Sequence, residues 1–272
     1  NTTIAYSSDG VSWTATSTSP FGPNLGICVS YSAQQNRWLA GGSTGAIFYS
    51  SNGINWIPVS SFCNINCNGV AYSAQQNRWV GVGSANGGSS NIGYSNDGGI
   101  TWIGNGLYIF SNGGGQGVAY SAQQNRWVGV GSGTNSIAYS SDGISWSGLG
   151  LSIFSSVGFG VAYSAQQNRW VAVGSGTNSI AYSSDGISWS GLGLSIFSSV
   201  GLGVAYSAQQ NRWVAVGSGP YFIAYSSDGI NWTGSTNGNS IFSVAGRGVN
   251  YSAEQNRWVA VGTGTNSIAY SS

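Results

Sequence analysis

YSSDGISW, residues 139–146, is the stretch whose reading decides the fold. It returns almost letter for letter at 6–13, 182–189 and 225–232. At 49–56 Asn52 stands in place of the Asp, and at 94–102 a form one residue longer reads YSNDGGITW. Asp and Ser side chains bond the backbone N–H groups of a tight turn, and Gly takes a positive φ without steric cost. The Trp that follows is a large apolar anchor for the next strand. The stretch is therefore a hairpin turn. A second stretch alternates with it: YSAQQNRW begins at Tyr31, Tyr72, Tyr120, Tyr163 and Tyr206, and YSAEQNRW begins at Tyr251. Together they make a repeat of about 43 residues, a period that means a solenoid, an array or a propeller. Segments 118–160 and 161–203 differ only by Gly129 against Ala172 and Phe159 against Leu202, which points to duplication within one gene.

Each period holds four short β-like runs. In one repeat they are residues 118–121, 126–130, 136–140 and 144–146, here named strands A to D. AQQN, GSGTN and SDG separate them as turns, and the D-to-A connection is the long one. No helical periodicity occurs. Four antiparallel strands per repeat make a propeller blade. Six Asp-type turns and six QNRW turns predict an all-β, six-bladed β-propeller of four-stranded antiparallel blades, one domain over residues 1–272. The chain opens on strands C and D and closes on A, B and C. The closing blade is therefore expected to be built from both termini, the N-terminal C and D completing the blade begun by the C-terminal A and B. Strand C, however, occurs seven times, so residues 3–7 and 267–271 compete for one slot.

Composition narrows the function. Only 5% of residues are charged, against about 25% in ordinary globular proteins. The net charge is +1, and the sequence has neither Lys nor His. Phosphate binding needs clustered cations, so no nucleic-acid partner is expected. No apolar run reaches the roughly 18 residues that span a bilayer, so no membrane insertion is expected. Weak charge repulsion favours self-association. Cys28, Cys63 and Cys67 leave the disulfide pairing open, and three Cys without His make a zinc site unexpected. The chain has no Met, so a removed leader or a longer parent protein is expected. An extracellular location, or one on a cell or virion surface, fits these features.

YSNDGGITW matches the sialidase-type Asp-box, Ser-x-Asp-x-Gly-x-Thr-Trp, and the other five turns are a shorter variant. The chain thus resembles Asp-box (BNR-repeat) β-propellers over its whole length at the level of blades. Sialidases of that group use an arginine triad, a Tyr–Glu nucleophile pair and an Asp acid/base, and none of these can be placed here. Glycosidases generally need two opposed carboxylates. Five of the six acids are the turn residues Asp9, Asp97, Asp142, Asp185 and Asp228, and the sixth is Glu254. Six of the seven arginines are the QNRW residues Arg37, Arg78, Arg126, Arg169, Arg212 and Arg257. Features repeated in every blade serve the fold, so these charges are expected to be structural: Asp ties its own turn, and Arg packs over Trp or pairs with a neighbouring Asp. No catalysis, cofactor or metal is expected.

The loops at the other face carry the candidate ligand residues. They are Tyr108, Phe110, Phe154, Phe197 and Phe242 of the SIF-type units, Asn135, Asn178 and Asn266 of the B–C loops, and Tyr221 and Phe222, which break the repeat. Uncharged aromatics beside amides suit neutral sugars. The competing expectation is that the Phe rings plug the gaps between blades. The functional readings are multivalent recognition of neutral glycans and, alternatively, a structural subunit of an extracellular or surface assembly, with a glycosidase third.

Overall fold

A computed structural model of the chain describes residues 3–86, 89–106, 108–111 and 113–272. Nearly all regular structure is β. Strands β1 (Ala5–Tyr6) and β2 (Thr14–Ala15) form a two-stranded sheet. Four-stranded antiparallel sheets follow in chain order. The first is β3 (Gly26–Ser32), β4 (Arg37–Gly42), β5 (Ile47–Ser50) and β6 (Ile57–Val59). The second is β7 (Asn66–Ser73), β8 (Arg78–Ser84), β9 (Ile92–Ser95) and β10 (Ile103–Gly104). The third is β11 (Gly115–Ser121), β12 (Arg126–Gly131), β13 (Ile137–Ser140) and β14 (Ser147–Gly148). The fourth is β15 (Gly158–Ser164), β16 (Arg169–Gly174), β17 (Ile180–Ser183) and β18 (Ser190–Gly191). The fifth is β19 (Val200–Ser207), β20 (Arg212–Ser218), β21 (Ile223–Ser226) and β22 (Thr233–Gly234). One helical turn, α1 (Gly238–Ile241), precedes a three-stranded sheet of β23 (Ala245–Ser252), β24 (Arg257–Thr263) and β25 (Ile268–Ser271). The fold is a six-bladed β-propeller of antiparallel blades. The chain divides into two compact units, residues 1–148 and 149–272.

Each blade follows from its repeat. Strand B is apolar on both sides, as in Trp170-Val171-Ala172-Val173, and is buried from the Trp onward. Strand D is short and exposed, as an outer edge should be. The A and B strands pair so that Tyr163 stands opposite Trp170, and the two rings stack with centroids 4.7 Å apart. Their AQQN turn closes on Asn168 at φ +46°, a left-handed conformation that Asn tolerates.

In unit 1, Leu39, Ile47, Phe62, Trp79 and Trp102 pack between the first and second four-stranded sheets. Val80, Val82, Ile92, Phe110 and Trp127 pack between the second and third. In unit 2 the same layer is made by Val171, Val173, Ile180, Phe197 and Trp213, then by Val216, Phe242 and Ala260. Burying such a side chain is worth about 1.5–3 kcal/mol, so the spaces between blades hold most of the apolar stabilisation.

The closing blade differs from the sequence expectation. Strand β24 takes its strand C from the chain's own end: Val259 pairs with Tyr270 and Val261 with Ile268. Residues 5–6 pair instead with residues 14–15. The C-terminal copy follows β24 through a short turn, whereas the N-terminal copy would have to close a loop of nearly the whole chain. Loop-closure entropy favours the local partner.

Candidate functional site

The Asp turns come first because they hold most of the negative charge. In the third sheet Asp142 Oδ1 accepts the backbone N–H groups of Ile144 and Ser145, both at 2.8 Å, and the Ser140 hydroxyl at 2.9 Å. Ser140 Oγ in turn accepts the N–H of Gly143, whose φ of +74° only Gly adopts freely. Asn52 does the same work through its amide oxygen, accepting Ile54 N–H at 3.0 Å and Asn55 N–H at 2.9 Å. These carboxylates are anchors of their own hairpins.

The electrostatics agree. Hydrogen bonds from the backbone of Ser12 and Val11 hold Asp9 down at about 2. At Asp97 and Asp228 partial burial works upward, but the bonds donated at each turn outweigh it and hold both at about 2. Asp142 and Asp185 are lowered in the same manner. A carboxyl whose folded-state pKa is depressed adds stability above its unfolded pKa of about 4, and that stability is lost as pH falls towards the folded value. The melting temperature is therefore expected to stay level down to about pH 4 and to fall steeply between there and pH 2. Thermal melts across that range check this. A level curve to the acid end would show that the turns do not depend on ionised Asp.

The arginines serve the fold by a route that the sequence did not specify. Each of the six QNRW guanidinium groups lies over a strand-C tyrosine of its own sheet, 4.7–5.6 Å from the ring centroid, as with Arg169 over Tyr182. Arg37 also donates to Gly98 O at 2.8 Å. Arg78 donates to Asp142 O and Arg169 to Asp228 O. Each thus reaches the Asp turn of the next blade in its unit, binding backbone carbonyl rather than carboxylate. The stacked partner is Tyr, not the Trp that was expected.

The glutamines are the residues that sequence reasoning missed. The second Gln of four AQQN turns, at Gln35, Gln76, Gln167 and Gln210, joins its blade to the next. Gln76 Oε1 accepts the indole N–H of Trp127 at 2.9 Å, while its Nε2 donates to Asn125 Oδ1 at 2.8 Å and to Ser141 O at 2.7 Å. Gln167 repeats this with Trp213, Asn211 and Ser227 at 2.8, 2.7 and 2.7 Å. The first Gln faces a tyrosine hydroxyl of the next blade: Gln75 Oε1 lies 2.9 Å from Tyr120 Oη. Gln favours neither turn nor strand strongly, so its recurrence at two fixed places was the available signal.

The loop candidates are mostly structural. Phe110, Phe154, Phe197 and Phe242 are at most 1% exposed. They are not ligand residues; they plug the blades, as the competing expectation had it. The strand-B glycines leave room for them: a Cβ on Gly131 would lie 2.6 Å from the Phe110 ring, and one on Gly174 2.7 Å from that of Phe154. The amides of Asn135, Asn178 and Asn266 are also spoken for, donating to the carbonyls of Ile109, Ile153 and Ile241 at 2.8, 2.7 and 3.2 Å. They tie the B–C loop to the incoming D–A loop. Tyr221 occupies the place of that Asn, packed where a Gly234 Cβ would sit, and is half-buried with Phe222. Of the ten candidates, Tyr108 and Asn266 are exposed. The cysteines meet in unit 1: a Cβ on Gly41 would lie 2.5 Å from Cys67 Sγ and 2.8 Å from Cys28 Sγ, and all three thiols are free.

An open pocket of about 440 Å³ lies in unit 1 along the first three A strands and their AQQN turns. Tyr31, Tyr72, Tyr120, Gln34 and Ser30 are among its lining residues, and none of the lining residues is charged. The tyrosines are held by ring stacking on Trp38, Trp79 and Trp127, with centroids 4.6, 5.0 and 4.6 Å apart. Among the described residues no helix is long and apolar enough to cross a membrane.

No family model and no curated protein matches the chain. Solved structures do. The GH74 enzyme of Niastella koreensis matches with TM-score 0.65 and 19% identity over 91% of this chain, which spans only 36% of that enzyme. YCF48 bound to D1 peptide matches with TM-score 0.63 and 16% identity, covering 96% of this chain and 83% of that one. A chain of a nidogen/laminin complex matches with TM-score 0.56 and 13% identity, covering 83% of this chain and 85% of that one. At these identities the likeness concerns the fold, and the first and third of these comparisons, like the second, place the chain among β-propeller-like architectures without assigning it a role.

Proposed function

We propose that the chain is a non-catalytic recognition propeller of the Asp-box type, acting outside the cell and binding neutral carbohydrate. The observation that carries this is the uncharged pocket lined by Tyr31, Tyr72 and Tyr120 with Gln34. Apolar rings with a few fixed polar groups are the usual make-up of a small-ligand site. Tyrosine supplies both a flat face for a sugar ring and a hydroxyl for hydrogen bonding. The turn carboxylates are committed to backbone amides, which leaves them unsuited to acid–base work on a glycoside. A glycan array followed by calorimetry tests the reading. Neutral oligosaccharides should bind, and Tyr120→Ala should weaken them about tenfold or more, as loss of a central aromatic contact does. Binding that is absent, or indifferent to Tyr72→Ala and Tyr120→Ala in folded protein, would sink it.

A structural role in an assembly of copies is the second reading. It is favoured by the large apolar side chains left exposed on β3 and on β24–β25.

A further inference from the structure

Strand A of the later blades carries a Gly-x-Gly pair before its Val, as in Gly115-Gln116-Gly117 and Gly158-Phe159-Gly160. The first two four-stranded sheets break it. Cys28 takes the place of the second Gly in β3, and Cys67 takes the place of the first in β7. Cys63 follows Phe62 where other repeats have a Ser after the Phe, as at Ser155 and Ser198. Strand B changes with them: β4 has Gly41 where the other sheets have Val82, Val130, Val173, Val216 and Val261.

These exchanges are complementary in space. At other joints the strand-B Val packs onto the first Gly of the next strand A. A Cβ on Gly115 would lie 2.6 Å from Val82 Cβ, and one on Gly246 2.6 Å from Val216 Cβ. Between β4 and β7 the sizes are reversed. A Cβ on Gly41 would lie 2.5 Å from Cys67 Sγ and 2.8 Å from Cys28 Sγ, so two sulfurs fill the room that a Val side chain takes elsewhere. Cys28 also donates to Cys67 O at 3.6 Å, and its strand β3 packs against β7. Cys63 joins the group. It is buried in one apolar cluster with Cys67, and its Sγ lies 3.1 Å from where a Cβ on Gly83 would sit, the residue opposite Cys67 on β8.

The thiols differ in acidity. A hydrogen bond with the Cys67 thiol holds Cys63 below the usual thiol range. Cys67 is pushed well above that range by its bonds with Cys28 and Cys63 and by full burial. Among the described residues no group of His, Cys, Asp and Glu is placed to hold a metal ion, these three included.

We propose that oxidation joins Cys28 to Cys67 in a disulfide that staples the first four-stranded sheet to the second, with Cys63 as the thiol through which oxidation enters. A small-molecule disulfide is the oxidant. The Cys63 thiolate attacks one of its sulfurs, forms a mixed disulfide and expels the first thiolate. Cys67 then attacks Cys63 Sγ, expelling the other half of the oxidant and forming a Cys63–Cys67 bond. Cys28 attacks Cys67 Sγ in turn and expels the Cys63 thiolate, which is a good leaving group because it is held acidic. Cys28 and Cys67 have lost two electrons, and their protons leave on the two thiols made from the oxidant. The bridge also fixes the spacing of β3 and β7, which carry Tyr31 and Tyr72.

Peptide mapping by mass spectrometry under non-reducing conditions tests this on the full chain, first reduced and then exposed to oxidised glutathione. Cys28–Cys67 should be the main linkage, with Cys63 left as the free thiol. The linked residues are 39 positions apart, and closing so long a loop restricts the unfolded chain. The oxidised protein should therefore melt about 5 °C or more above the reduced one. Cys28→Ala, which leaves only the short Cys63–Cys67 loop, should lose most of that shift. Cys63→Ala should still form the bridge, but about tenfold or more slowly, since the acidic thiol is gone. A final product linked Cys63–Cys67, a chain that keeps three free thiols, or one that stops at a glutathione adduct overturns the proposal. So does an oxidised protein that melts with the reduced one, or a Cys63→Ala variant that oxidises as fast as the parent.

Discussion

Phe197→Ala is expected to destabilise the protein by about 3–5 kcal/mol, the cost of an aromatic-to-alanine truncation in a rigid core. The ring is fully buried in a layer with Val171, Val173, Ile180 and Trp213. These neighbours sit on paired strands of two blades and cannot collapse into the void without breaking register. Gly217 faces the ring closely, since a Cβ there would lie 2.9 Å from Phe197 Cγ, so no adjacent side chain can swing in. Urea denaturation with far-UV dichroism measures the loss. Tyr108, exposed at its loop, supplies the contrast: Tyr108→Ala should change stability by no more than about 0.5 kcal/mol. Equal effects from the two would mean that the SIF-type aromatics do not plug the blades.

Gln167→Ala is expected to cost about 2–3 kcal/mol, more than its half-exposed position suggests. The substitution leaves the indole N–H of the fully buried Trp213 without its acceptor, and it removes the donor to Asn211 Oδ1 and Ser227 O. A buried donor left unsatisfied costs the full desolvation of the group, whereas the bond itself nets about 1 kcal/mol. Because the partners lie on the next blade, the loss should weaken the joint rather than the hairpin. Amide exchange should then accelerate in β19–β20 as well as in β15–β16. Faster exchange confined to the hairpin that carries Gln167 would refute the lock.

Structures of the blades were legible from residues close in sequence. The Asp turn needs Ser140, Asp142 and Gly143 within four positions, and its hydrogen bonds span two or three residues. Tyr163 and Trp170 face each other because a four-residue turn joins their strands. Such contacts depend on local geometry, so spacing and side-chain chemistry suffice to read them. The structural role of the turn aspartates was legible for the same reason, and Asn52 in one turn already pointed to it.

What lies between blades was decided only in three dimensions. The Gln–Trp bonds join residues 44 to 51 positions apart, about one repeat. Phe197 looks the same in sequence whether it faces solvent or the core, and its burial depends on the glycine that the neighbouring strand presents. The roles of Asn135 and Asn178 turned on the same point, because their acceptors belong to a loop about 25 residues away. The seven copies of strand C left two segments equivalent by sequence, and chain connectivity chose residues 268–271 as the partner of β24. Sequence by itself determined the repeat, its strands and its turns, because these are set by neighbours along the chain. Tertiary structure decided which polar and aromatic side chains remain uncommitted, because each blade satisfies its neighbour first.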